Sequence, residues 1–71
     1  MKIIKLPIYN IVVTLNDHGT GIIKSDLVGS IEEDIITSVI LAHACAGVNI
    51  EDPKYIEGIK TLLDAIVNNV E

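Results

Sequence analysis

Between Val39 and Ala46 the sequence reads VILAHACA, and His43 is its one strongly polar side chain. Folded as a helix, this stretch is apolar around almost its whole circumference, and such a helix needs cover on every side. The chain offers little to cover it with. At 71 residues it makes a single domain, of a size that buries only about 60% of the surface its unfolded form exposes. Hydrophobic residues are 49% of the chain, with no Trp and no Phe, so the apolar surface is spread over many aliphatic side chains. A single cysteine allows no internal disulfide, a common staple of domains this small. The expectation is a homo-oligomer in which copies of the chain cover one another.

The helical reading has legible boundaries. Ser30 followed by Glu33 is a capping-box pattern, in which each side chain satisfies the other residue's free backbone N–H. Glu32, Glu33 and Asp34 put negative charge in the first turn, where the helix dipole favours it. Gly47 can take the left-handed conformation that ends helices. The spacing predicts a helix over about residues 31–46. A second start is written as Asp52 then Pro53, a cap followed by the residue whose missing N–H is harmless at the first helical position. From there Ile56, Ile59, Leu63, Ile66 and Val70 recur at steps of three and four, broadened by Leu62 and Val67. Lys54, Glu57, Lys60, Asp64 and Asn68 occupy the other side, which predicts an amphipathic helix over about residues 53–70.

Ahead of the helices, residues 2–27 read as β structure. Tyr9, Ile11, Val13 and Leu15 alternate with Asn10, Val12, Thr14 and Asn16, which suits a strand with one face on a core. Pro7 marks an edge, a bulge or the first residues of a strand. NDHGTG is turn vocabulary, and IIKSDL reads as the returning strand. The fold class is α+β in ββαα order: an N-terminal β-hairpin or small antiparallel sheet, then an αα-hairpin.

Charge and spacing narrow the function classes. The net charge is −5, and all five basic residues are lysines. Nucleic-acid binding draws on a basic face, so direct nucleic-acid binding is not expected. MKIIKLP is broken too early for a signal peptide, no apolar run reaches the roughly 18 residues of a membrane span, and a free thiol suits a reducing cytoplasm. His43 and Cys45, two apart on a helix, point about 200° from each other and cannot share one ion. Zinc sites use other spacings, so neither metal nor cofactor is expected. A thiol in apolar surroundings is a poor nucleophile, and DHGTG lacks the helix N-terminus and lysine of a phosphate loop. The chain reads as no enzyme.

Candidates for contact with a ligand or partner are Asp17, His18, Thr20, Lys24 and His43, with His43 read first as a packed histidine. Candidates for the oligomer interface are Val39, Ala42 and Ala46 on the first helix and Ile56, Gly58, Ile59, Leu63 and Ile66 on the second. Glycine inside a helix costs about 1 kcal/mol relative to alanine, so Gly58 points to a close helix crossing, within the subunit, between subunits, or both.

The segments KLPIYNIVVTL, GTGIIKSDL and ILAHACAGVNIEDPKYIEGIKTLLDAI resemble a family of short uncharacterised bacteriophage and prophage proteins, and ILAHACAGV is the most distinctive of them. The resemblance covers most of the chain, which is shorter than its relatives around Val28 to Ser30. It implies a mobile-element protein acting in the bacterial host cytoplasm, and it carries over no activity or catalytic residues. The expected function is a counter-defence inhibitor or adaptor that binds a host protein as a homo-oligomer. The alternatives are a sponge for a small anionic ligand such as a signalling nucleotide, held near His43, Lys24 or residues 17–20, and a phage structural or assembly protein.

Overall fold

The computed structural model describes residues 1–27 and 29–69. Val28, in the short connection, and Val70, expected in the second helix, lie outside the described residues. Three strands, β1 (Lys2–Lys5), β2 (Val12–Leu15) and β3 (Gly21–Lys24), precede two helices, α1 (Ile31–Cys45) and α2 (Pro53–Asn69). The strands form an antiparallel sheet in the order β1-β2-β3, so the ββαα order holds with a three-stranded sheet. Ile4 pairs with Val13, and Val13 with Ile23, in the row that faces the core. The rows Ile3–Thr14–Ile22 and Lys5–Val12–Lys24 face outward, as strand alternation requires.

The first hairpin departs from the expected pattern. The alternation does not run as one strand from Tyr9, because the strands stop at Lys5 and resume at Val12. Tyr9 and Asn10 have φ of 49° and 50°, and the Ile11 N–H donates to the Ile8 carbonyl at 3.0 Å. Two left-handed residues inside such a bond make a type I′ turn, whose twist matches the flanking strands. Pro7 therefore lies in the loop rather than in a strand. A tyrosine in this conformation is strained by about 1–3 kcal/mol and has to be held. Here the Tyr9 hydroxyl donates to Asp64 of α2, the Asn10 amide donates to Asp26, and the Asp26 N–H donates to the Tyr9 carbonyl at 3.0 Å. The turn's apolar neighbours, Leu6, Ile8 and Ile11, are buried.

The start and end of α1 and the start of α2 carry the capping geometry that the sequence indicates. The Glu33 N–H donates to Ser30 Oγ at 3.1 Å and the Ser30 N–H to Glu33 Oε2 at 3.4 Å, completing the capping box. At the other end Gly47 has φ 89°. The Val48 N–H donates to the His43 carbonyl at 3.0 Å and the Gly47 N–H to that of Ala44 at 3.1 Å. This is the Schellman arrangement. Asp52 caps α2 through its carboxylate, which accepts from the Lys54 N–H at 2.9 Å.

The core closes on Ile11, Val13, Ile40, Ile50 and Leu63, all fully buried; each contributes roughly 1.5–3 kcal/mol. On α1, Ile40 and Ala44 face this core, while Val39, Ala42 and Ala46 are exposed. A single chain thus covers one side of the helix that the sequence marks for cover all round. Within the chain, Gly58 lacks a close neighbour. It is exposed, and a Cβ there would meet nothing within 4 Å, so no close helix crossing within the chain explains it. Gly21 is where the backbone does come close, with a Cβ falling 2.6 Å from the Thr14 carbonyl oxygen and 2.9 Å from Leu15 Cδ2.

The two glycines should therefore respond oppositely to alanine. Gly58→Ala should stabilise the fold by about 1 kcal/mol, and Gly21→Ala should destabilise it by roughly 1–3 kcal/mol through overpacking. Urea midpoints measured side by side would decide; a loss of stability in Gly58→Ala would restore the close crossing.

Candidate functional site

The feature most open to a partner is the outward face of α1. At about 100° per residue, Ile31, Ile35, Val39, Ala42 and Ala46 fall within about 40° of one line along the helix, opposite the side that carries Ile40 and Ala44 into the core. Ile31 is 75% exposed, Ile35 56% and Val39 41%. Together with Asp34, Ser38 and Ala42 they line an open groove of about 400 Å³. The capping box fixes where this helix starts, and the burial of Ile40 and Ala44 fixes its rotation, so the apolar stripe must face away from the core. Glu32 and Asp34, both exposed, edge its first turn.

The surface area agrees. The chain exposes 4830 Å², whereas a compact monomer of 7.7 kDa exposes about 4300 Å². Ile3, Ile22 and Leu62 are also more than half exposed.

The expected interface residues divide. Val39, Ala42 and Ala46 are on the open face; Gly58 is exposed on α2; Ile56 and Ile66 are half-buried; Ile59 and Leu63 belong to the chain's own core and offer no free surface. Ile31 and Ile35, the most exposed members of the groove, were legible as its first two steps, at spacing i, i+4 from Val39, but lie ahead of the unbroken apolar run.

The five candidate contact residues do not converge. Asp17, His18 and Thr20 are exposed in the β2–β3 turn, which Asn16 organises: its Oδ1 accepts from the His18 N–H at 2.9 Å and the Thr20 N–H at 3.2 Å, and its amide donates to Thr20 Oγ1 at 2.6 Å. Asp17 pairs with the Met1 amine at 3.0 Å. Lys24 projects from the outer sheet face in the same row as Lys5. His43 is half-buried with Nδ1 2.7 Å from the Tyr55 hydroxyl, the rings edge to face. It is a packed histidine tying α1 to α2. Among the described residues, no hydrogen bond or ion pair joins any two of the five. Among them too, no group of three or more His, Cys, Asp or Glu side chains is placed to hold a metal ion, and no helix is long and apolar enough to cross a membrane.

A polar node that the sequence did not reveal lies where the first hairpin meets α2. Asp64 accepts from the Tyr9 hydroxyl and, at 2.8 Å, from Lys60 one turn earlier. The Lys60 bond, and then the Tyr9 bond, hold the Asp64 carboxyl below its ordinary value. The Tyr9 hydroxyl is pushed up, first by its bond to Asp64, then by burial and the nearby Asp64 and Glu33 charges. Glu33 itself is buried, though the sequence marks it only as a cap. Every group in this node has a partner within the chain, so its chemistry is that of a clasp on the strained turn.

No family model matches the chain, and no curated protein or solved structure matches it.

The clasp predicts a pH profile. Asp64 favours its charged form in the folded state, so its contribution is complete above the ordinary carboxylate value of 3.8 and is lost as pH falls through the lower folded value. Tyr9 favours its neutral form, so its contribution is complete below 10.0 and is lost as pH rises further. Urea midpoints should fall on both sides; Asp64→Asn should make the acid limb shallower and Tyr9→Phe the alkaline limb. Unchanged limbs in both variants would show that the clasp does not form.

Proposed function

We propose that this chain is a non-enzymatic binding protein that works as a homo-oligomer and engages a protein of a bacterial host. The observation that carries this reading is the open apolar face of α1, with Ile31, Ile35 and Val39 exposed beside each other on a rigid, doubly capped helix. Contiguous apolar patches held on the surface mark sites of association, whereas scattered apolar residues do not. The polar residues best suited to chemistry are committed to structural bonds instead: Glu33 to the capping box, Asp64 to Tyr9 and Lys60, His43 to Tyr55.

The outer face of the sheet is a second free surface. Lys5 and Lys24 flank Val12, and Ile3 and Ile22 flank Thr14. In a chain of net charge −5, this locally basic and apolar patch suits a partner with an acidic surface. The resemblance to short phage proteins supports a host protein as that partner and counter-defence as the setting.

Native mass spectrometry of protein purified from a bacterial host tests the reading directly. The expected spectrum shows multiples of the 7.7 kDa chain without a stoichiometric small-molecule adduct. Single chains at all accessible concentrations would contradict association. A bound nucleotide or other small anion would transfer the argument to the ligand-sponge alternative.

A further inference from the structure

The association proposed above leaves open what covers the groove on α1, and the groove's own sequence answers it. We infer that it is filled by α1 of a second copy, lying antiparallel, so that the two helices form an isologous pair about a twofold axis beside Ser38 and Val39. This rests on the reading that the chain associates and adds its geometry.

The stripe is graded in size. Its N-terminal end is bulky, Ile31 and Ile35, and its C-terminal end is small, Ala42 and Ala46. An antiparallel pairing sets Ile31 level with the partner's Ala46 and Ile35 level with the partner's Ala42, large against small along the whole contact. A parallel pairing would set isoleucine against isoleucine at one end and leave alanines facing a gap at the other. Close packing rejects such gaps, because the atoms that line them lose their contacts.

Charge points the same way. The first turn of α1 carries Glu32, Glu33 and Asp34, and the basic residue of its last turn is His43. Pairing in parallel would place two acidic turns side by side. Pairing antiparallel separates them by about 16 Å along the axis, about twice the roughly 8 Å screening length at physiological salt. Glu32 and His43 also lie on the same flank of the stripe, about 60° and 80° from its centre line. In the antiparallel pair, Glu32 of each copy then comes within about one helical turn of the partner's His43. Self-complementary contacts of this kind close as twofold dimers rather than growing into filaments. A single helical face is smaller than the roughly 800 Å² per partner of a standard interface, so the pair is reversible and responds to concentration.

Cysteine cross-linking reads the geometry. With Cys45 replaced by Ser, three single variants are made, Ser38→Cys, Ile35→Cys and Ala42→Cys, and each is checked for folding by circular dichroism. They are oxidised at a concentration where the parent is associated. Ser38→Cys should link to its own copy. Ile35→Cys and Ala42→Cys should each stay largely single, since their equivalents are about 10 Å apart along the axis, beyond the reach of a disulfide. Mixing those two should raise the covalent dimer at least tenfold over either alone. If Ile35→Cys links to itself as readily as the mixture does, or if folded Ser38→Cys fails to link while the parent is associated, the antiparallel pair is overturned and association stands. If the parent itself remains a single chain, both are overturned.

Discussion

The structure turns on a helix with two apolar faces and a chain large enough to cover only one. Ile40 and Ala44 enter the core, and Ile31, Ile35, Val39, Ala42 and Ala46 line the opposite side. Neither face can be given up. Turning α1 to bury the outer stripe would expose Ile40, which is completely enclosed, for a gain no larger than the loss. The sheet contributes four residues per strand and has one core-facing row of three aliphatic residues to offer. The proposed association would take the outer stripe out of water, and the apolar area removed would lower the free energy at about 25 cal/mol per Å².

Around that helix, the fold is assembled from local signals and one long-range clasp. Capping at Ser30 and Glu33 fixes the start of α1, and the left-handed Gly47 fixes its end, so the rotation of every side chain between them follows. Asp52 and Pro53 then direct α2 back across the core, where Ile59 and Leu63 are buried. The clasp comes from the other direction. Asp64, 55 residues from Tyr9, receives its hydroxyl and holds the hairpin turn against α2. The strained turn and the position of α2 thus depend on each other, a coupling that favours cooperative folding of sheet and helices together.

Much of this was legible in the sequence, because helix ends are set by neighbours in the chain. The capping box, the Gly47 terminus and the Asp52–Pro53 start all rest on residues within a few positions of one another. The Tyr9–Asn10 turn was not legible. Tyrosine favours strands and continues a clean alternation with Ile11 and Val13, so only a contact with a remote aspartate reveals it as a turn residue. The burial of Glu33 was hidden for a related reason: its capping role is local, while its enclosure depends on tertiary packing. Gly58 makes no close contact within the chain, since the space beside it there is open. As for the candidate site, the run from Val39 to Ala46 signalled a helix needing more cover than one chain has, and Val39, Ala42 and Ala46, named from the sequence as its interface side, are the residues of that run left exposed. The core chose Ile40 and Ala44, and the groove is what remained. The dispersed set of Asp17, His18, Thr20, Lys24 and His43 had no spacing to unite it, and the fold places its members on three separate surfaces.

The dependence of stability on protein concentration tests this account most directly, because association that covers apolar surface in the folded state alone must stabilise that state by mass action. Urea unfolding followed by circular dichroism over a hundredfold range of concentration should give a midpoint that rises steadily with concentration. In an Ile35→Glu variant, which places a charge in the stripe without touching the core, the midpoint should stay level. A parent midpoint that does not move, in a chain that still unfolds cooperatively, would mean that one copy is sufficient and that the outer face of α1 is simply left in water.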